Sequence, residues 1–247
     1  MSEIQTLARG LQIIDQLEAS AAGMSVTSIA EMFGVDKSSA SRFIKTLVSY
    51  GYAEQDPATR LYKLGPRLVS LGQSVLNKIS FRDQARPFLR QLVAQTGECA
   101  HLAKLANGGA LYIDQVDTPA SLRVSTDVGT LGPLHCTALG KVLLAFAEVP
   151  IPGELKGFTA RTIVTQDSLR SHLEQVRQLG YAIDDEEYNV GVRCVAAPVY
   201  DVNGDLAGAI GISGPTGRVT LERIPEFAEI VKRISEALTR QLRFERK

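Results

Sequence analysis

Ser25-Val26-Thr27-Ser28-Ile29-Ala30-Glu31-Met32-Phe33-Gly34-Val35-Asp36-Lys37-Ser38-Ser39-Ala40-Ser41-Arg42-Phe43-Ile44-Lys45-Thr46-Leu47 holds two amphipathic segments broken at Gly34-Val35. The Ser25 hydroxyl is placed to cap the first of them. Ile29, Met32 and Phe33 supply its predicted buried side. The second begins at Asp36 or Lys37, and Ala40, Phe43, Ile44 and Leu47 recur on one face at helical spacing. Its other face carries Ser38, Ser39, Ser41, Arg42 and Lys45. Two helices joined by so short a turn have helix-turn-helix spacing, a pattern that many unrelated helix pairs share.

Working outward, Ile4, Leu7, Leu11, Ile14 and Leu17 predict an earlier helix that ends near Ala21-Ala22-Gly23. On the other side, Tyr52-Ala53-Glu54-Gln55 and Leu61-Tyr62-Lys63-Leu64 read as two short strands around a polar turn, a wing. Pro66 opens a further helix with Leu68, Leu71, Val75 and Ile79 on one side. Such a connector must pack on something, and a second copy of the chain is the expected partner. Asn77-Lys78 and Phe81-Arg82-Asp83 mark the joint between domains.

The remaining chain alternates helices and strands. A helix is expected over 82–96 and strands over 99–105 and 110–116, with Asn107-Gly108-Gly109 as the hairpin turn. A loop carrying Gly129 and Gly132 leads to a helix from Thr137 or Ala138. Further helices are expected over 168–179 and 221–243, and strands over 181–184, 194–200 and 206–213. This is an α+β fold, with an antiparallel sheet and flanking helices after a small helical domain. The expected domains are 1–65, a linker helix over 66–81, and 82–247.

Composition narrows the function. Lys+Arg and Asp+Glu both number 27, so any nucleic-acid binding must rest on local charge. Between Lys37 and Arg67 there are six basic residues (Lys37, Lys45, Lys63, Arg42, Arg60 and Arg67) against Glu54 and Asp56. Three scattered cysteines argue against a disulfide scaffold and for a reducing, cytoplasmic setting. No signal peptide or membrane span is expected. His135 and Cys136 are adjacent and do not converge on one ion, so no metal site is expected. An enzyme with a helical N-terminal domain is the competing class, yet no phosphate loop, dinucleotide fingerprint, nucleophile elbow or paired metal motif is present. No catalytic residue and no cofactor are expected. A helical dimerisation module with a solvated basic face is the plainer reading of the first domain.

Ser38-Ser39-Ala40-Ser41-Arg42-Phe43-Ile44-Lys45-Thr46-Leu47 resembles the recognition helix of the IclR-type transcription regulators. Tyr62-Lys63-Leu64-Gly65 resembles the chain after their wing turn. The resemblance continues through Leu134-His135-Cys136-Thr137-Ala138-Leu139-Gly140-Lys141 and Gly180-Tyr181-Ala182-Ile183-Asp184-Asp185-Glu186-Glu187. It extends through Gly191-Val192-Arg193-Cys194-Val195-Ala196-Ala197-Pro198-Val199 and ends at Ile212-Ser213-Gly214-Pro215. It implies a winged helix-turn-helix domain, a linker helix and a GAF-like effector domain. It further implies homodimers or dimers of dimers on partly palindromic double-stranded DNA operators, and control by small organic, aromatic or sugar acids. The expected DNA-binding residues are Ser25, Thr27, Lys37, Ser38, Ser39, Ser41, Arg42, Lys45, Arg60, Lys63 and Arg67.

For the effector, the resemblance points to the turn from Leu134 to Ala138 and Leu139, and to Asp184, Cys194 and Ser213. The residues add a reason. A helix opening at Ala138 exposes its first N–H groups at its positive end, and small residues there admit a carboxylate. Thr137 as a plain cap over core is the simpler reading. The other members of the acidic run, Asp185, Glu186 and Glu187, read as a solvated loop, and Cys194 alone reads as a small hydrophobe. The chain departs from some family members at Gly211, where they place a second serine. Its missing side chain is expected to leave room for a bulkier ligand.

Overall fold

The computed structural model describes residues 4–76, 80–147 and 149–244. The chain divides after residue 78 into two compact units. The first holds α1 (Gln5–Ala19), α2 (Val26–Phe33), α3 (Lys37–Ser49), β1 (Ala53–Gln55), β2 (Tyr62–Leu64) and α4 (Arg67–Leu76). Its core is Ile13, Leu17, Met24, Ile29, Ala30, Ala40, Ile44, Ala53 and Tyr62. The wing strands pair antiparallel, Ala53 opposite Leu64.

The structure places the apolar stripe of α1 and corrects the expected buried side of α2. The face of α1 that packs inward carries Ile13 and Leu17, whereas Ile4, Leu7 and Leu11 stay 70, 61 and 55 % exposed. In α2 it is Ile29 and Ala30 that are buried, and Met32 is exposed. Apolar spacing finds a stripe, but it does not say which partner the stripe faces. The helix after the wing likewise buries none of its described residues: Val69, Leu71 and Val75 are exposed. Asn77, Lys78 and Ile79, read as the joint and the end of the linker stripe, lie outside the described residues.

The second unit is built on a six-stranded antiparallel sheet. Its strands are β3 (Cys99–Ala106), β4 (Gly109–Val116), β5 (Leu131–Gly132), β6 (Ala182–Asp185), β7 (Val192–Tyr200) and β8 (Leu206–Pro215), in the order β5-β4-β3-β8-β7-β6. Helices α5 (Ser80–Thr96) and α8 (Ile224–Phe244) pack together and on the sheet, while α6 (Ala138–Phe146) and α7 (Gln166–Leu179) form a second layer. The sheet residues in the α6 layer are small: Ala103, Ala110, Ala182, Ala196 and Ala209. That lets α6 lie close to the strands and bury eight consecutive residues, 138–145. The two-residue strand β5 falls in a region read from sequence as loop.

A candidate DNA-binding helix and a cavity in the second unit

The turn between α2 and α3 works because Gly34 adopts φ +58°, where its N–H closes back on the carbonyls of Ala30 and Glu31. Asp36 then caps α3, accepting from the Ser39 N–H at 3.0 Å. The hydroxyls of Ser38 and Ser39 also donate to the Asp36 carboxylate. These hydrogen bonds, that of Ser38 first, hold its carboxyl far below the ordinary range. So the hydroxyl protons of Ser38 and Ser39, two of the expected DNA-binding residues, are committed to Asp36. Arg42 leans on the Ser39 hydroxyl at 3.4 Å and is exposed, as are Lys37, Ser38 and Lys45. Ser39, Ser41 and Thr27 are half-buried. Ser25 caps α2, accepting from the Ser28 N–H at 3.0 Å.

In the wing, Arg60 holds φ +63°, unusual outside glycine, and its carbonyl accepts from the Gln55 amide. Lys63 pairs with Asp56 at 3.5 Å. Arg60 and Arg67 are exposed. All eleven expected DNA-binding residues thus lie in the first unit.

The second unit holds a cavity of about 200 Å³. One side is the start of α6: Thr137, Ala138 and Leu139. Thr137 accepts from the Gly140 N–H and donates to the Pro133 carbonyl, so it is a cap. Ala138 and Leu139 keep N–H groups with no acceptor among the described residues. The cap and the open N-terminus coexist. Gly140 is required here, because a Cβ would strike Pro133 and Thr137.

Asp184, Cys194 and Ser213 line the cavity as expected, and all three come from neighbouring strands: Asp184 sits opposite Cys194, and Cys194 opposite Ser213. Asp184 is 2 % exposed, and its Oδ1 accepts the N–H groups of Glu187 at 2.8 Å and Tyr188 at 3.4 Å. It therefore anchors the turn that brings Tyr188 and Asn189 to the cavity wall. Burial pushes its pKa up to about 7, against the pull of the Glu187 N–H. Burial likewise raises the Cys194 and Tyr112 pKa values well above their ordinary ones.

Three expectations are corrected. Leu134 is buried in the core against α6 and is not among the cavity-lining residues. Gly211 does line the cavity, but a Cβ there would run into the Val195 carbonyl and Ala196 of β7. Close strand approach, rather than ligand size, accounts for that glycine. Finally, Glu187 is not solvated. It is 6 % exposed and ion-paired with Lys141, which is fully buried on α6. Asp185 is also engaged, by buried Arg193 and by Arg161.

Sequence reasoning missed His101 and Tyr112, both cavity-lining. The signal available was a histidine in a strand that is apolar apart from Lys104. His135 is structural, with Nε2 bonded to the Lys156 carbonyl at 2.9 Å. Burial raises the Cys136 thiol to about 12. Among the described residues, no group of three or more His, Cys, Asp or Glu is placed to hold a metal, and no helix is long and apolar enough to cross a membrane.

Two family profiles match the chain: "IclR helix-turn-helix domain" over residues 6–57 and "Bacterial transcriptional regulator IclR C-terminal" over residues 73–240. The HTH-type transcriptional regulator XynR of Escherichia coli is 35 % identical over 98 % of both chains. BhcR of Paracoccus denitrificans is 35 % identical over 92 % of this chain and 84 % of its own. The crystal structure of Thermotoga maritima IclR superposes with a TM-score of 0.73 at 31 % identity, covering 98 % of this chain and all of the other.

Proposed function

Because the chain belongs to the IclR family, and is therefore a DNA-binding, effector-responsive transcription regulator rather than an enzyme, we propose that it reads a two-fold operator with α3 and the wing and releases or tightens that grip when a small carboxylate fills the cavity of its second unit. In this reading residues 1–65 bind DNA, 66–81 link, and 82–247 sense the effector. Arg42 reaches a base edge, while Lys37, Lys45, Arg60, Lys63 and Arg67 serve the phosphates. Ser25, Thr27 and Ser41 serve as close-range hydroxyl contacts, while Ser38 and Ser39, whose protons are held by Asp36, offer the DNA their hydroxyl oxygens as acceptors.

A second copy completes the operator reader. The exposed stripes Ile4, Leu7 and Leu11 of α1 and Val69, Leu71 and Val75 of α4 support a homodimer. A dimer of dimers extends the same logic. The protein works in the reducing cytoplasm, which suits three unpaired cysteines. Sedimentation velocity at micromolar concentration tests assembly: a monomer that still binds its operator tightly defeats the dimer.

The observation that carries the effector reading is the pair of open N–H groups at Ala138 and Leu139, at the positive end of a buried helix whose first residues line the cavity. Titration calorimetry with acids and their carboxamides tests it. The acid is expected to bind at least tenfold tighter, and equal binding refutes the anion at the helix terminus. Ser213→Ala and Asp184→Ala are each expected to weaken the acid. If neither does, the cavity is the wrong site.

A further inference from the structure

Across the cavity from the start of α6, the sheet holds a further donor that no described residue uses. Tyr112 projects from β4, packs against the core formed with α6, and lines the cavity. Its backbone is held at both polar groups. The N–H donates to the Thr130 carbonyl at 2.9 Å, and the carbonyl accepts from the Gly129 N–H at 2.8 Å. Its ring meets the His101 imidazole edge-on, with 5.8 Å between centroids. The hydroxyl at the far end is different. It makes no hydrogen bond among the described residues, and it is not one of the unpartnered polar atoms that the fold shuts off from water. A half-buried phenol ordinarily finds a partner for its O–H. This one is fixed in place, unmatched and open.

Its position relates it to the helix terminus. A Cβ at Gly132 would lie 3.0 Å from Tyr112 Cε2, the carbon beside the one that bears the hydroxyl. The same Cβ would lie 3.9 Å from Cγ2 of Thr137, the residue that caps α6. The hydroxyl edge of the ring and the cap therefore flank one point from two sides. Burial first, then the charges of Cys194, Asp184, Tyr188 and Cys136, raise the phenol pKa. Cys136 immediately precedes the cap, and the other three line the cavity. The phenol keeps its proton at neutral pH and is available as a donor.

Resting on the carboxylate reading above, we propose that Tyr112 is a further effector contact, its hydroxyl donating to the carboxylate that the Ala138 and Leu139 N–H groups receive. The carboxylate is then held from the helix by backbone donors and from the sheet by a side chain. The side-chain bond is charge-assisted, and such bonds are about twice as strong as neutral ones. A carboxamide can meet the phenol only through a neutral bond, so Tyr112 adds to the preference for the acid.

The experiment compares full-length wild type with Tyr112→Phe, which removes one hydroxyl and keeps the ring. Calorimetry uses butyrate, pyruvate, benzoate and 4-hydroxybenzoate, each beside its carboxamide. The acid that wild type binds best is expected to lose about tenfold or more in the variant, and its carboxamide about threefold at most. The ratio of acid to carboxamide affinity therefore falls, which a change in cavity shape alone would not produce. Thermal unfolding without ligand should be the same for both proteins, since the hydroxyl has no partner in the fold. A variant that keeps the wild-type ratio overturns the proposal and leaves the carboxylate reading standing. A variant that unfolds well below wild type without ligand also overturns it, because the hydroxyl then serves the fold. Wild type binding acids and carboxamides alike defeats the carboxylate reading and this proposal with it, as does a wild type that binds no member of the panel.

Discussion

The serines at the start of α3 and the serine of β8 present the same hydroxyl in opposite settings. Ser38 and Ser39 bond to Asp36, two and three residues away, at the solvent surface. Ser213 bonds to His101, on another strand, and both residues are buried at the cavity wall. At the surface water replaces a lost partner, so those residues are free to be chosen for what they touch outside. In the cavity each polar group depends on another that the fold must deliver, and removing one strands the rest. The two regions should therefore answer mutation differently: the DNA face in affinity, the cavity wall in stability as well.

The sharpest break of that contrast lies at Lys141. Its ammonium is fully buried on α6 and pairs with Glu187, whose Oε2 already lacks a partner. Lys141→Met leaves a buried carboxylate unpaired, which costs about 3 kcal/mol. Lys141→Met with Glu187→Gln removes both charges and should recover most of that loss. Native-state hydrogen exchange should show lost protection in α6 and unchanged protection in α3. Equal loss in both units would mean that the two do not answer separately.

A second test uses proton linkage at Asp184. Its folded pKa, about 7, is raised above the ordinary carboxylate value of 3.8 by burial. The folded state thus holds a proton that the unfolded chain gives up. The associated stability is complete below about pH 3.8 and is lost as pH rises through about 7. Between pH 5 and 8 the wild type should lose roughly 2 kcal/mol relative to Asp184→Asn, which keeps an acceptor for the Glu187 and Tyr188 N–H groups. Urea unfolding at both pH values measures the difference. Parallel slopes would show that Asp184 is ionised throughout. Carboxylate affinity should fall over the same window, since a second negative charge then faces the ligand, with Lys141 already committed to Glu187.

These residues also show how far the sequence could be read. The helix-turn-helix and wing were legible because their signals are local: Asp36 caps three residues ahead, Gly34 turns the chain, and Ala40 and Ile44 share a face. Asp184, Cys194 and Ser213 were reached through family resemblance. Their strand register, which places them side by side, is a long-range fact. His101 escaped because its meaning depends on a partner 112 residues away. Glu187 was misread because three acidic neighbours suggest solvent, and only the buried Lys141 shows otherwise. The α1 stripe was seen without a partner, and that Ile4, Leu7 and Leu11 stay exposed could not be read, since periodicity carries no information on what covers a face.

On the DNA side the expected effects are smaller and leave the fold intact. Arg42 is exposed, with one 3.4 Å contact to Ser39. Arg42→Ala should cost about 1–3 kcal/mol of operator affinity and relax base preference at one position. Lys45→Ala should weaken all duplexes alike and lower the salt slope by about 1. Binding isotherms from 50 to 200 mM salt, on operator and random duplex, separate the two. Loss of preference in Lys45→Ala rather than Arg42→Ala would exchange their roles.

The smallest effect falls on Ser25, where the two kinds of serine meet. It caps α2 through the Ser28 N–H and also contacts the Ser28 hydroxyl at 2.9 Å, yet it is half-exposed and counted among the DNA contacts. Alanine and glycine separate these tasks. Ser25→Ala loses the cap and should cost about 1 kcal/mol of stability, whereas glycine at an N-cap costs only a few tenths. Neither restores a hydroxyl. If Ser25 touches phosphate, both variants should lose similar DNA affinity despite unequal stability. If it serves only the helix, affinity should follow stability, with Ser25→Gly close to wild type. Thermal unfolding and operator titration on the same two variants decide it, and a Ser25→Gly protein that binds operator normally removes Ser25 from the DNA interface.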